Sequence, residues 1–151
     1  MRARAYARAA AVAAAVVVLD QVSKHLIVSS IAPRQVVRVL PGIELVHWRN
    51  VGVAFSFLSS GGAVVYVLIG AALIGLIMFL RSRPELPWLW LPAGMLIGGA
   101  VGNLTDRIRI GAVTDFVKLP LWPAFNVADA SITVGVILLV LVVEGGRSAG
   151  R

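Results

Sequence analysis

The stretch FNVADASITVGVILLVLVV begins at Phe125 and is almost wholly apolar, yet it carries an aspartate at position 129. A charge inside a bilayer is costly and is usually paired or functional, so this acid raises the question of chemistry. The chain has no cysteine, which excludes disulfides, thiol nucleophiles and thiolate metal sites. Its histidines, His25 and His47, stand alone without H-E-x-x-H spacing and read as interfacial or loop residues, so no metal is expected. There is no G-x-S-x-G, and Ser23 and Lys24 are sequence neighbours that a helix would point to different faces, a poor nucleophile and base. A pair of aspartates is better equipped. Two carboxylates held close share one proton, so one can activate a water while the other donates to a carbonyl. Asp129 is one candidate, and Asp20, Asp106 and Asp115 compete for the other place.

The elements that must position these groups are apolar helices. Of the 151 residues, 59% are hydrophobic, and the mean hydropathy of +0.91 marks a membrane protein. A hydrocarbon core of about 30 Å needs roughly 20 helical residues. Apolar runs of that order cover about 9–28, 61–80, 88–104 and 127–143, which predicts a single domain over 1–151 with four transmembrane helices. The opening MRARAYARAAAVAAAVVVL has the basic start and apolar run of a signal peptide. It continues past Asp20 to Leu26, Ile27 and Val28, long enough to stay as an anchor.

Between the first two runs, RQVVRVLPGIELVHWRN places a Pro41-Gly42 turn between β-branched segments, a hairpin pattern. A small β-sheet on the extracytoplasmic membrane surface is expected, joined by AVTDFVKL near residue 112. RSRPELP reads as a plain turn between helices. Gly94, Gly98 and Gly102 repeat at intervals of four, a face for close helix packing. The net charge of +7 lies mostly beside the spans and suits anionic lipid headgroups rather than nucleic acid. Arg2, Arg4, Arg8, Arg81, Arg83, Arg147 and Arg151 crowd into short flanks, whereas Arg34, Arg38, Arg49, Arg107, Arg109 and Lys118 are spread over longer segments, so both termini are expected on the cytoplasmic side.

On this topology the polar groups gather at the outer end. Asp20 and Lys24, spaced i, i+4, form a helical ion pair in the simplest reading. Asn103 and Asn126 could hydrogen-bond across helices. Asp106 beside Arg107 could be a solvated helix end, and Asp115 an exposed strand position. Asp129 could favour a helix N-terminus, although Asn126 already stands where a cap is needed.

Five ordered blocks narrow the choice: DQVSK at 20–24, NVGVAFSFL at 50–58, GGAVGNLTDRI at 98–108, VTDF at 113–116 and PAFNVADASI at 123–132. With these the chain resembles the lipoprotein signal peptidases (signal peptidase II), four-helix aspartyl proteases of bacterial cytoplasmic membranes. The resemblance implies a catalytic dyad of Asp115 and Asp129. It also implies substrate-binding roles for Asn50, Asn103, Arg107 and Asn126, and supporting roles for Asp20, Lys24 and Asp106, the last orienting Arg107. The implied substrate is a prolipoprotein cut just before a diacylglyceryl-modified cysteine, reached laterally through the bilayer by a monomeric enzyme without a cofactor. NVGVAFSFLSSGG is a candidate lid. The rival readings are a small four-helix transporter, whose acid would lie near the midplane and repeat across an oligomer, and a structural membrane subunit.

Overall fold

A computed structural model describes residues 2–51, 61–83, 86 and 88–148. In chain order it contains α1 (Arg2–Ser30), β1 (Val36–Leu40), β2 (Ile43–Asn50), α2 (Gly61–Ser82), α3 (Trp90–Ile110), β3 (Val113–Lys118) and α4 (Val127–Ser148). A helix thus occupies each apolar run, but each extends beyond the hydropathy boundary at one or both ends. α3 runs on to Ile110 rather than stopping near 104, because no breaker intervenes until Gly111. That glycine takes a left-handed φ of 71° and returns its amide to the Arg107 carbonyl at 3.0 Å, closing the helix as only a residue without Cβ does cheaply. Among the described residues, Ala3–Ser30 and Val127–Gly146 are long and apolar enough to cross a membrane, and Val67–Ser82 is a shorter apolar stretch. The candidate lid lies, from residue 52 to 60, outside the described residues.

The strands form one antiparallel sheet in the order β1-β2-β3. The hairpin turns at Pro41-Gly42, with Gly42 at φ 79°. β2 and β3 pair Trp48 with Asp115 and Asn50 with Val113, so Asn50 and Asp115 are diagonal neighbours on one face of the sheet.

The interior is more polar than that of a water-soluble domain. Asn126 and Asp20 are among the largest fully buried side chains, whereas Leu19, Leu68 and Ile137 are more than half exposed. This distribution suits a protein whose solvent is hydrocarbon. Helix contact is correspondingly made through small residues. A Cβ on Gly94 would stand 2.6 Å from the Ala9 carbonyl and one on Gly98 2.8 Å from that of Ala13, so this stripe seats α3 on α1. Gly99 faces α4 instead, 2.6 Å from the Ala128 carbonyl by the same measure, and Gly102 faces both helices.

Candidate active site

The site is built outward from the start of α4. The first backbone amides of a helix have no partner within it, and here two side chains supply them. Asn126, at the N-cap, accepts from the Asp129 amide through Oδ1 at 2.9 Å, while Asp129 Oδ2 receives the Asn126 amide at 3.3 Å. This is a reciprocal box in which one face of the Asp129 carboxylate is fixed. The Ala128 amide donates to Asp20 Oδ1 of α1 at 2.9 Å. Asp20 therefore caps a helix more than a hundred residues away in sequence, and Gly102 leaves room for it: a Cβ there would stand 2.7 Å from Asp20 Oδ2.

Beneath this lies a buried ion cluster. Lys24 Nζ is 2.8 Å from Asp20 Oδ2 and 3.0 Å from Asp106 Oδ2, and donates to Asn103 Oδ1 at 3.1 Å. Its three protons thus meet three acceptors, as a buried ammonium requires. Gln21 Nε2 ties together Asp20, the Gly102 carbonyl and Asp106 at 3.0–3.2 Å. Asp106 Oδ2 also takes the Thr114 amide at 2.9 Å, fastening the start of β3 to α3. Asp106 thus serves both Lys24 and β3. Arg107 Nη1 meets the Asn103 carbonyl at 3.3 Å.

These bonds orient two amides. With its Oδ1 facing Lys24, Asn103 turns Nδ2 to Asp129 Oδ1, at 2.7 Å. With its Oδ1 engaged by the α4 amide, Asn126 turns Nδ2 to Asn103 Oδ1 at 3.1 Å, to the Thr114 carbonyl at 3.3 Å and to Asp115 Oδ1 at 2.8 Å. Asn50 Nδ2 holds the other Asp115 oxygen, Oδ2, at 3.0 Å. Asp115 and Asp129 therefore belong to one network, bridged by Asn126 and Asn103 and drawn from α3, β2, β3 and α4. Asp115 is 3% exposed, and its carboxyl is raised from 3.8 to about 6. Burial is the main cause and the charge of Asp129 adds to it, while the bonds from Asn50 and Asn126 and the charge of Lys24 pull the other way. The protonated form of Asp115 therefore persists to a higher pH than an ordinary carboxyl allows.

Of the sequence candidates, Asp115, Asp129, Asn50, Asn103 and Asn126 meet in this network, Asp20, Lys24 and Asp106 form the ion cluster beneath it, and Arg107 joins through the Asn103 backbone. Two members escaped the sequence reading. Gln21 lies within the first quoted block, and its i, i+3 spacing to Lys24 was the available signal. Thr114 acts through its backbone, which no side-chain pattern reveals. Among the described residues no group of His, Cys, Asp and Glu is arranged to hold a metal.

Two carboxylates bridged by amides among apolar helices suit an aspartyl peptidase of the membrane, and the known proteins that this chain matches fall in that class. The family described as signal peptidase (SPase) II matches residues 12–143, and the chain belongs to that family. It is 33% identical over 129 residues to the lipoprotein signal peptidase of Thermodesulfovibrio yellowstonii, covering 83% of this chain and 86% of the relative. It is 40% identical over 138 residues to that of Pseudoalteromonas atlantica, covering 85% and 84%. Two solved structures, each described as a bacterial membrane enzyme, superpose with a TM-score of 0.83. One is 30% identical and covers 89% of this chain and 91% of its own; the other is 29% identical and covers 95% and 91%.

Proposed function

We propose that this aspartyl peptidase removes the signal peptide from diacylglyceryl-modified prolipoproteins in the bacterial cytoplasmic membrane, cutting before the lipidated cysteine. The observation that carries the reading is the Asn126 bridge, which gathers Asp115 and Asp129 into one polar network at the start of α4. Four helices span the bilayer with both termini cytoplasmic, and the site lies near the outer face. Hydrolysis needs water, present at helix ends and scarce at the midplane, and a lipid-anchored substrate arrives by lateral diffusion at that depth.

In the mechanism, Asp115 and Asp129 share one proton. The ionised member takes a proton from water, the protonated member polarises the scissile carbonyl, and the tetrahedral intermediate collapses as the leaving amine is protonated. Water attacks directly and no acyl-enzyme forms. Asn50, Asn103 and Asn126 hold the carboxylates, and together with Arg107 they bind the substrate backbone and its lipid-bearing region. The protein acts as a monomer. The test is cleavage of a diacylglyceryl-modified precursor beside its unmodified form, followed by gel shift, with the wild type and Asp129→Asn. Only the modified precursor should be cut, and only by the wild type. Equal cleavage of both precursors would refute the specificity.

A further inference from the structure

The segment between β3 and α4 is a closed loop with an apolar tip. Val117 and Phe125 pair across its base, their amides and carbonyls exchanging bonds at 2.9 and 3.0 Å. The tip, Leu119-Pro120-Leu121-Trp122-Pro123, carries no charge. Leu121 is 104% exposed and Trp122 62% exposed. Leu121 also holds a φ of 60°, a left-handed backbone that is unfavourable for leucine. Glycine or asparagine would suit that turn better, so the local fold does not explain the choice of leucine. The tip is also braced: Lys118 Nζ donates to the Trp122 carbonyl at 2.7 Å and lies 5.8 Å from the centre of the Trp48 ring. The hairpin turn sits beside it, since a Cβ on Gly42 would be 3.6 Å from Pro120, and brings in Leu40, itself 59% exposed.

We infer that this tip, with Leu40 of the adjoining turn, inserts into the bilayer interface and fixes the sheet, and hence Asp115, at a set depth. The occupant is lipid because of continuity: Val127, the first residue of α4, follows the base of the loop almost at once, so on the reading above that α4 spans the membrane the tip stands at headgroup level. Its chemistry fits that level. Leucine enters the acyl boundary, tryptophan favours the interface, and the Lys118 ammonium, bonded to the Trp122 carbonyl and over the Trp48 ring, is a cation at the level of the phosphates.

The chain contains no cysteine, so Leu121→Cys, and separately Trp122→Cys, each create one labelling site on an exposed position. With an environment-sensitive fluorophore attached and the full-length protein in phospholipid vesicles, both labels should be quenched at least about twofold more by lipids spin-labelled shallow in the acyl chain than by an aqueous paramagnetic ion. Ile137→Cys, on an exposed face within α4, is the reference and should be quenched by deep spin labels. If the Ile137 label is quenched deep but the loop labels are quenched only from water, loop insertion is overturned and the spanning reading of α4 stands. If the Ile137 label is also quenched only from water, both fall. Lipid quenching that disappears when the protein is diluted in excess lipid would assign the patch to a second copy and overturn the inference.

Discussion

Asp115 stands between two amides that favour its ionised form and a buried setting that opposes it. Burial prevails, and the carboxyl lies at about 6 rather than 3.8. The sign for stability follows: folding favours the protonated form, so the contribution is complete below 3.8 and is lost as pH rises through about 6. Thermal unfolding in detergent should therefore show stability declining across that window, and Asp115→Asn should flatten the decline. Activity carries the same group in a different role. A dyad that needs one shared proton should lose kcat/KM on the alkaline side with an apparent value near 6, a property of the pair rather than of one residue. Asn50→Ala removes a bond that stabilises the ionised Asp115, and should move that limb upward. A limb that moves down or stays fixed would detach Asn50 from the dyad. Asp115→Asn and Asp129→Asn should each lower turnover by about a thousandfold or more, and the double variant should be scarcely worse, because the two act as a unit. Additive losses in single-turnover cleavage would contradict a shared mechanism.

Helix contact decides where these residues stand, and the glycines of α3 separate its two tasks. A Cβ at Gly99 would meet the Ala128 carbonyl at 2.6 Å, a backbone atom one residue from Asp129 that cannot yield without shifting the start of α4. Gly75 of α2 faces open space. Gly99→Ala should then cost about 1–3 kcal/mol by overpacking and depress activity further than stability. Gly75→Ala should be neutral or stabilise by up to about 1 kcal/mol through helix propensity. Melting curves and initial rates on the two variants separate these outcomes. Lys24→Met should be harsher, by about 3–5 kcal/mol, since it leaves Asp20 and Asp106 buried without their cation. Much of this level was legible in the residues. The Gly94, Gly98 and Gly102 spacing marked a packing face, Pro41-Gly42 marked the hairpin, and Asp20 with Lys24 marked an ion pair. The sequence reading did not anticipate Asp20 capping α4 or Asp106 reaching Thr114, because both bonds end on backbone amides of distant elements. Spacing alone likewise left the partner of Asp129 open. The β2–β3 register sets Asp115 beside Asn50, and the bridge between Val117 and Phe125 brings Asn126 to the same carboxyl.

At the scale of the molecule, aromatic rings and cations collect at both ends. Arg8 of α1 lies 5.7 Å from the Trp90 ring, and Trp90 is 6.1 Å from Trp88; the other end holds Trp48, Lys118 and Trp122. From Arg8 to Ser30, α1 rises about 33 Å at roughly 1.5 Å per residue, close to the hydrocarbon thickness of about 30 Å. Tryptophan and basic residues at that separation fit the interfacial anchoring that the proposed four-span topology requires. In the proposed topology the end with Arg8 faces the cytoplasm, and the Asp115 and Asp129 network lies at the other. This orientation is open to a direct test, because a chain without cysteine accepts single labelling sites. Arg38→Cys on the sheet and Ser82→Cys at the end of α2 are both exposed positions. In intact spheroplasts a membrane-impermeant maleimide should modify the first and reach the second only after permeabilisation. The reverse pattern would put the dyad on the cytoplasmic face and overturn the proposed topology. Modification of both sites from outside would show that the helices between them do not cross as proposed, because α2 has to carry the chain from the sheet to the opposite surface.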